Sequence, residues 1–345
     1  MTRAVAGDQA VFGAQSVAGD QVVASDQAVA GDQGDRGHLL TEQANPLSAQ
    51  LDQLATGDLV DLFVANDLEP QRAVAAAAAQ LAQAVDAIAE RLAAGGRLFY
   101  LGAGTSGRLG VLDAAECPPT FCSDPEQVQG VLAGGPAALL RSSEGLEDRA
   151  DAGWADLQAR GFGPGDCLVG IAAGGTTPYV IGALAQAQAI GALTIALACV
   201  PSEQAPMPCA IDIRLLTGAE LLTGSTRLKA GTATKMALNI LSTGVMVRLG
   251  KVHGNRMVDV AVTNSKLEDR ALRILRDLAG LERQPARELL DQTAGSVKLA
   301  LLIAATQLDP SAARAALESY GPSLRSTLLA LQRSADSQPA SPPAF

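Results

Sequence analysis

Between residues 48 and 94 the apolar positions recur at helical spacing, most regularly from Val74 to Leu92, and the stretch stops at Gly95-Gly96. The pattern then changes to short, unbroken apolar runs. These are Leu98-Phe99-Tyr100-Leu101, Val128 to Leu132, Cys167 to Ala172, Leu193 to Cys199 and Ile211 to Leu215. Helical stretches separate most of them, including Val180 to Ala189 and Lys229 to Leu249. A strand that is apolar on both faces needs cover on both faces, so the alternation predicts an α/β fold with a parallel sheet flanked by helices. From about residue 268 the pattern is helical only, ending near Gln332. The predicted organisation is a leader over 1–37, an α/β domain with an N-terminal helical extension over 38–267, a helical subdomain over 268–332 and a flexible tail over 333–345.

The leader carries a degenerate repeat: Ala4-Val5-Ala6-Gly7-Asp8-Gln9, then Val17-Ala18-Gly19-Asp20-Gln21, then Val29-Ala30-Gly31-Asp32-Gln33. The unit is far shorter than a solenoid repeat and has too little apolar surface to offset the entropy of ordering it. We expect a disordered leader, and a loose Ser- and Pro-rich end from Ser334 to Phe345.

Composition narrows the function classes. Apolar residues make up 48% of the 345, enough for a large core, and the scarcity of aromatics (3%) favours close-packed helices on a sheet. The net charge of −10 argues against a nucleic-acid partner, which demands concentrated positive charge. The five cysteines, Cys117, Cys122, Cys167, Cys199 and Cys209, form no C-x-x-C pair, and only His38 and His253 could serve as imidazole ligands. No disulfide framework, metal or cofactor is expected. With no long apolar span and no secretion signal, the reading is no membrane partner and a cytoplasmic location.

In an open parallel sheet, ligands bind beyond the carboxyl ends of the strands. Three loops so placed are rich in Gly and hydroxyl residues. The first, Gly102 to Arg108, combines Gly104, Thr105, Ser106 and Arg108 at a helix start, where converging N–H groups hold an anion. The second is Ala173-Gly174-Gly175-Thr176-Thr177-Pro178. The third runs from Thr223 to Thr232 and includes Ser225, Thr226, Arg227 and Lys229. The first loop also satisfies G-x-G-x-x-G, but the second strand ends in Ala133-Gly134-Gly135, without the acid that holds a dinucleotide ribose. A single compact phosphate suits it better.

Two carboxylates stand out. Glu116 sits in Asp113-Ala114-Ala115-Glu116-Cys117-Pro118-Pro119, where the helix is expected to stop before the prolines. The negative end of a helix dipole there favours a protonated carboxyl and a general acid. Glu147 is expected near the start of the next helix, where the dipole favours the ionised form and a general base. The alternative is two solvated acids among the 36 of this chain. Lys229 and Glu220 are further substrate-binding candidates, set against readings as a solvated helix-start residue and a solvated surface carboxylate. Lys235 reads as surface and His253 as structural.

At these motifs the sequence resembles the N-acetylmuramic acid 6-phosphate etherases, within the SIS-domain sugar isomerase superfamily. The resemblance rests on Gly102 through Glu116-Cys117-Pro118-Pro119 to Phe121, on Thr223 to Thr232, on Leu241 to Gly244, and on Arg248 to Asn255 with Met257-Val258-Asp259. It covers about residues 38–330 and implies a three-layer SIS domain acting on a sugar phosphate as a homodimer, with the site near the subunit interface. It also implies a lyase that removes the D-lactyl ether from carbon 3, giving N-acetylglucosamine 6-phosphate and D-lactate, in amino sugar recycling or catabolism. Glu116 and Glu147 match the family's catalytic acids, the first as leaving-group acid and the second as base. Two departures stand out. The family's second loop usually reads Ala-Ser-Gly-Arg-Thr-Pro, where this chain has Gly174 for the Ser and Thr176 for the Arg. In Thr41-Glu42-Gln43-Ala44-Asn45, Ala44 stands where the family favours Arg. The competing functions on the same fold are a sugar-phosphate isomerase, which leaves the Glu116-Cys117-Pro118-Pro119 signature unexplained, and a non-catalytic sugar-phosphate regulator.

Overall fold

A computed structural model describes residues 35–141, 144–260, 262 and 264–336. The repeats expected to be disordered lie outside these residues, as does the tail beyond 336. The helical extension comprises α1 (Thr56–Asn66), α2 (Glu69–Ala76) and α3 (Ala78–Ala93). Alternating strands and helices follow: β1 (Leu98–Gly102), α4 (Gly104–Phe121), β2 (Val128–Leu132), α5 (Ala152–Gln158), β3 (Cys167–Ile171), α6 (Pro178–Ala189), β4 (Leu193–Ala198), β5 (Ile211–Arg214) and α7 (Lys229–Arg248). All five strands are parallel, in the order β2-β1-β3-β4-β5.

The unbroken apolar runs have the meaning expected of them. Along β1, Leu98 and Tyr100 face a core shared with α2, α3, α4 and α7, while Phe99 and Leu101 face one shared with α5 and α6. The result is the α/β three-layer arrangement. Because β2 and β3 flank β1, the chain reverses its direction of travel across the sheet between β1 and β3, and a crevice opens at their carboxyl ends.

A short antiparallel hairpin, β6 (Val252–His253) with β7 (Arg256–Met257), follows α7 and was not anticipated from the pattern. Five helices complete the described chain: α8 (Ser265–Ala279), α9 (Arg283–Gln292), α10 (Val297–Thr306), α11 (Pro310–Tyr320) and α12 (Leu324–Asp336). They enclose a core of their own around Leu272, Leu275, Ala300 and Leu302. The final helix continues through Ser334, where a loose end was expected. No helix among the described residues is long and apolar enough to cross a membrane.

Candidate active site

The first loop does what its glycines suggest. Gly104 has φ +53°, a conformation that side chains with a Cβ resist. Gly107 lies so close to β1 that an added Cβ would fall 2.3 Å from the Gly102 carbonyl oxygen. The N-cap of α4, Ala103, supplies no side-chain bond, and the N–H groups of Gly104, Thr105 and Ser106 are the ones a helix leaves without an internal partner. They open at the β1/β3 crevice with the Thr105 and Ser106 hydroxyls beside them. Arg108 turns aside: its Nε donates to the Ala138 carbonyl oxygen at 2.9 Å, tying α4 to the turn after β2.

The other two helix starts are already occupied. At α6, Pro178 has no N–H, the Tyr179 N–H donates to the Glu147 carbonyl oxygen at 3.0 Å, and those of Val180 and Ile181 return to Thr177. The second loop nevertheless keeps the N–H groups of Thr176 and Thr177 unpartnered among the described residues. Gly175 needs to be glycine, with φ +69° and Ala205 only 2.8 Å from an added Cβ. Gly174 does not: its φ is ordinary, and a Cβ there would meet nothing nearer than 3.7 Å, the Thr41 Oγ1.

At α7 the occupant is Glu220. It is fully buried, and its two carboxylate oxygens accept the N–H groups of Lys229 at 3.1 Å and Ala230 at 2.9 Å. The expectation of a solvated surface carboxylate is therefore wrong: Glu220 caps a helix from inside the molecule, and an anionic ligand finds those N–H groups taken. Burial raises its pKa against the pull of the two N–H groups. Lys229 is buried too, correcting the solvated alternative, and burial lowers its pKa although Glu220, Glu69 and Asp67 act the other way. The third loop also turns its own N–H groups inward, Ser225 to Leu222, Thr226 to Gly224 and Leu228 to Ser225. It carries the half-buried Ser225 and Thr226 hydroxyls and the exposed Arg227. It approaches the first loop where an added Cβ on Gly231 would lie 3.5 Å from Thr105 Cγ2.

The carboxylate pair differs from expectation in its setting. The helix α4 runs through Pro118 and Pro119 to Phe121, so Glu116 lies within it and not at its end. The prolines cost the Ala114 and Ala115 carbonyls a donor. The buried Phe121, the bond from Cys117 Sγ to the Asp113 carbonyl oxygen and the closing bond from the Cys122 N–H to the Pro118 carbonyl oxygen hold the last turn. Glu116 is exposed, and its backbone stands about 15 to 18 Å down the helix axis from the open N–H groups of Ser106 to Gly104. Glu147 lies in a turn five residues before α5 begins, and not at a helix start; its carbonyl, bonded to Tyr179, fixes that turn against the second loop. Beside it a cavity of about 400 Å³ runs along β2, lined by Gly134, Leu146, Arg149 and Tyr179. Between α4 and α7 lies a buried polar group that the pattern did not signal. Asp113 pairs with Lys235 at 3.2 Å beneath Tyr100, and burial raises the Asp113 pKa.

The segment Leu39–Asn45 was also missed as part of the site. Leu39 is buried against Val200 and Ala205, the Leu40 N–H donates to Gln204 Oε1 at 2.9 Å, and Asn45 Nδ2 donates to the Ala219 carbonyl oxygen at 2.9 Å. This strap crosses the carboxyl edge of the sheet, with Thr41 beside Gly174 and Glu42 beside Gly224. Its signal in the sequence is the Asn45-Pro46 turn after Leu39-Leu40, but nothing local says which loops it meets.

The chain is similar to known proteins over most of its length. Residues 80–188 match the model of the N-terminal SIS domain of glucokinase regulatory protein, and residues 254–298 match that of its C-terminal lid domain. Among solved structures, a phosphoheptose isomerase from Francisella tularensis superposes with a TM-score of 0.42 at 16% identity, covering 56% of this chain and 98% of that one. The N-acetylmuramic acid 6-phosphate etherase of Synechococcus sp. (strain CC9605) is 73% identical over 296 residues, 86% of this chain and 94% of the relative. That of Crocosphaera subtropica is 62% identical over 300 residues, 87% of this chain and 98% of the relative. At this identity over nearly the whole length of such relatives, the chain belongs to the N-acetylmuramic acid 6-phosphate etherase family, carbon–oxygen lyases built on a SIS domain.

Proposed function

We propose that the chain removes the D-lactyl group from N-acetylmuramic acid 6-phosphate with the phosphate seated at the start of α4. The observation that carries this reading is the set of open N–H groups of Gly104, Thr105 and Ser106 after β1, with those of Thr176 and Thr177 after the neighbouring β3, while α6 and α7 have their first turns filled. With the sugar open, the carbonyl at carbon 1 acidifies the proton on carbon 2. Glu147 takes that proton, the freed pair forms the carbon 2–carbon 3 double bond, and the carbon 3–oxygen bond breaks with its pair on the lactyl oxygen. Glu116 protonates that oxygen. In the second half a water oxygen adds to carbon 3 and gives its proton to Glu116, while Glu147, its proton exchanged with solvent in the meantime, protonates carbon 2. Both carboxyl groups end as they began.

The backbone rise of about 15 Å from Ser106 to Glu116 exceeds the length of a hexose phosphate. The reading therefore assigns Glu116 to the cleft of a second copy, making the enzyme a homodimer that works in the cytoplasm without nucleic acid or membrane. Gly174 and Thr176 leave the phosphate to backbone N–H groups and hydroxyls, without the Ser and Arg usual in the family.

The test is D-lactate release from N-acetylmuramic acid 6-phosphate by the parent, Glu116→Gln and Glu147→Gln. We expect each substitution to lower kcat by about 100-fold or more, as for loss of a general acid or base. Solvent deuterium should appear at carbon 2 of the product. A parent that binds the sugar phosphate but frees no lactate makes the chain a sensor; full activity in both variants removes the pair from the mechanism.

A further inference from the structure

We propose that Glu42 is a substrate-contacting carboxylate of this site, accepting hydrogen bonds from the sugar's hydroxyl groups while the phosphate lies at α4; this rests on the seat for the phosphate argued above. Three observations carry it.

The first is placement. The strap is pinned on either side of Glu42, by Leu39 and Leu40 before it and by Asn45 after it, to residues 200–219 at the carboxyl edge of the sheet. Between the pins, Glu42 Oε2 comes within 3.0 Å of where a Cβ on Gly224 would stand. Gly224 has φ +75°, so a side chain is disfavoured there on two counts, and the space is left to the carboxylate.

The second is that no protein group has claimed the carboxylate. Glu42 is half-buried, yet among the described residues its side chain accepts no hydrogen bond and meets no cation within ion-pair distance. A carboxylate without a protein partner is free to accept the donors that a ligand brings.

The third is the division of polarity across the cleft. The first and second loops present N–H groups, which suit an anion. The third loop spends the N–H groups of Ser225, Thr226 and Leu228 on its own turns and sets the Ser225 hydroxyl near a carboxylate, a pairing that suits sugar hydroxyls. The sugar phosphate therefore lies with its phosphate at Ser106 and its hydroxyl-bearing end towards Glu42 and Ser225. A neutral amide at position 42 keeps the shape but replaces one acceptor oxygen by a donor.

Calorimetric titration of the full chain with two probes, N-acetylglucosamine 6-phosphate and inorganic phosphate, tests this. For Glu42→Gln and Glu42→Ala we expect the sugar phosphate to bind about tenfold more weakly than to the parent, as for loss of a charge-assisted hydrogen bond. Inorganic phosphate should bind as before or slightly more tightly, since a repelling charge has gone. Sugar phosphate binding within about twofold of the parent overturns the proposal, and so does an equal loss of both probes, which would mark a purely structural role. A parent that binds both probes yet frees no D-lactate sinks the etherase reading and leaves the Glu42 result standing. A parent that binds neither overturns both.

Discussion

Thr41 is fully buried, and its Oγ1 has no hydrogen-bond partner among the described residues. A hydroxyl held from water without a partner carries its full desolvation cost. Replacement by valine keeps the shape and removes the orphan, so Thr41→Val should stabilise the fold by about 1 kcal/mol. For a chain of this size that corresponds to a rise in Tm of about 1–2 °C, read by calorimetry; a fall would mean that the hydroxyl has a partner after all. Thr41 and its neighbour Glu42 also mark the limit of what a sequence discloses residue by residue. Glu116 could be picked out because it lies inside a long, distinctive run, and Glu147 because a carboxylate is expected there near a helix start. Glu220 reads as one acid among many, since its burial depends on a helix that starts nine residues later. Glu42 is harder still: the partners that pin its strap lie 164 and 174 residues away, beyond the reach of any local pattern.

The elements themselves were legible wherever the chain is buried on both sides. Each strand begins where its apolar run begins, since a run without polar interruption fits only between two helical layers. The errors fall where tertiary packing outweighs a local rule. Two prolines end most helices, yet α4 passes through them because Phe121 and Cys117 are buried against its neighbours. The hairpin of β6 and β7 has only two residues in each strand, too few for any periodicity. The joint between β1 and the first turn of α4 is tight, and it makes a sharp prediction. In Gly107→Ala the new methyl would stand 2.3 Å from a backbone oxygen and 2.6 Å from Leu132 Cδ1, so strand and helix must part. We expect a loss of about 3 kcal/mol or more, seen as a lower midpoint in urea, together with weaker phosphate binding as the open N–H groups shift. A variant as stable as the parent would show that α4 can retreat without consequence.

At the scale of the molecule, one chain leaves two things unfinished. Glu116 points to solvent far from the crevice, and α1 carries Leu59, Val60, Leu62, Phe63 and Val64 without burying any of them. Val60, Val64 and Leu68 recur every four residues and are each more than half exposed, a stripe that suits a helix facing another protein surface. If a second copy supplies Glu116, then Glu116→Gln and Glu147→Gln, each inactive alone, should complement when mixed under conditions that exchange subunits. A two-fold dimer formed at random then holds about a quarter of its clefts intact, and D-lactate release should recover to about that fraction of the parent's rate. No recovery would place both carboxylates in one chain. The strap has a consequence of a different kind, in time and not in space. Its seat is built from residues 200–224, so a growing chain that has made Glu42 has nowhere to put it until most of the sheet exists. The cleft is thus among the last features to form, and a partly made chain can hold no sugar phosphate.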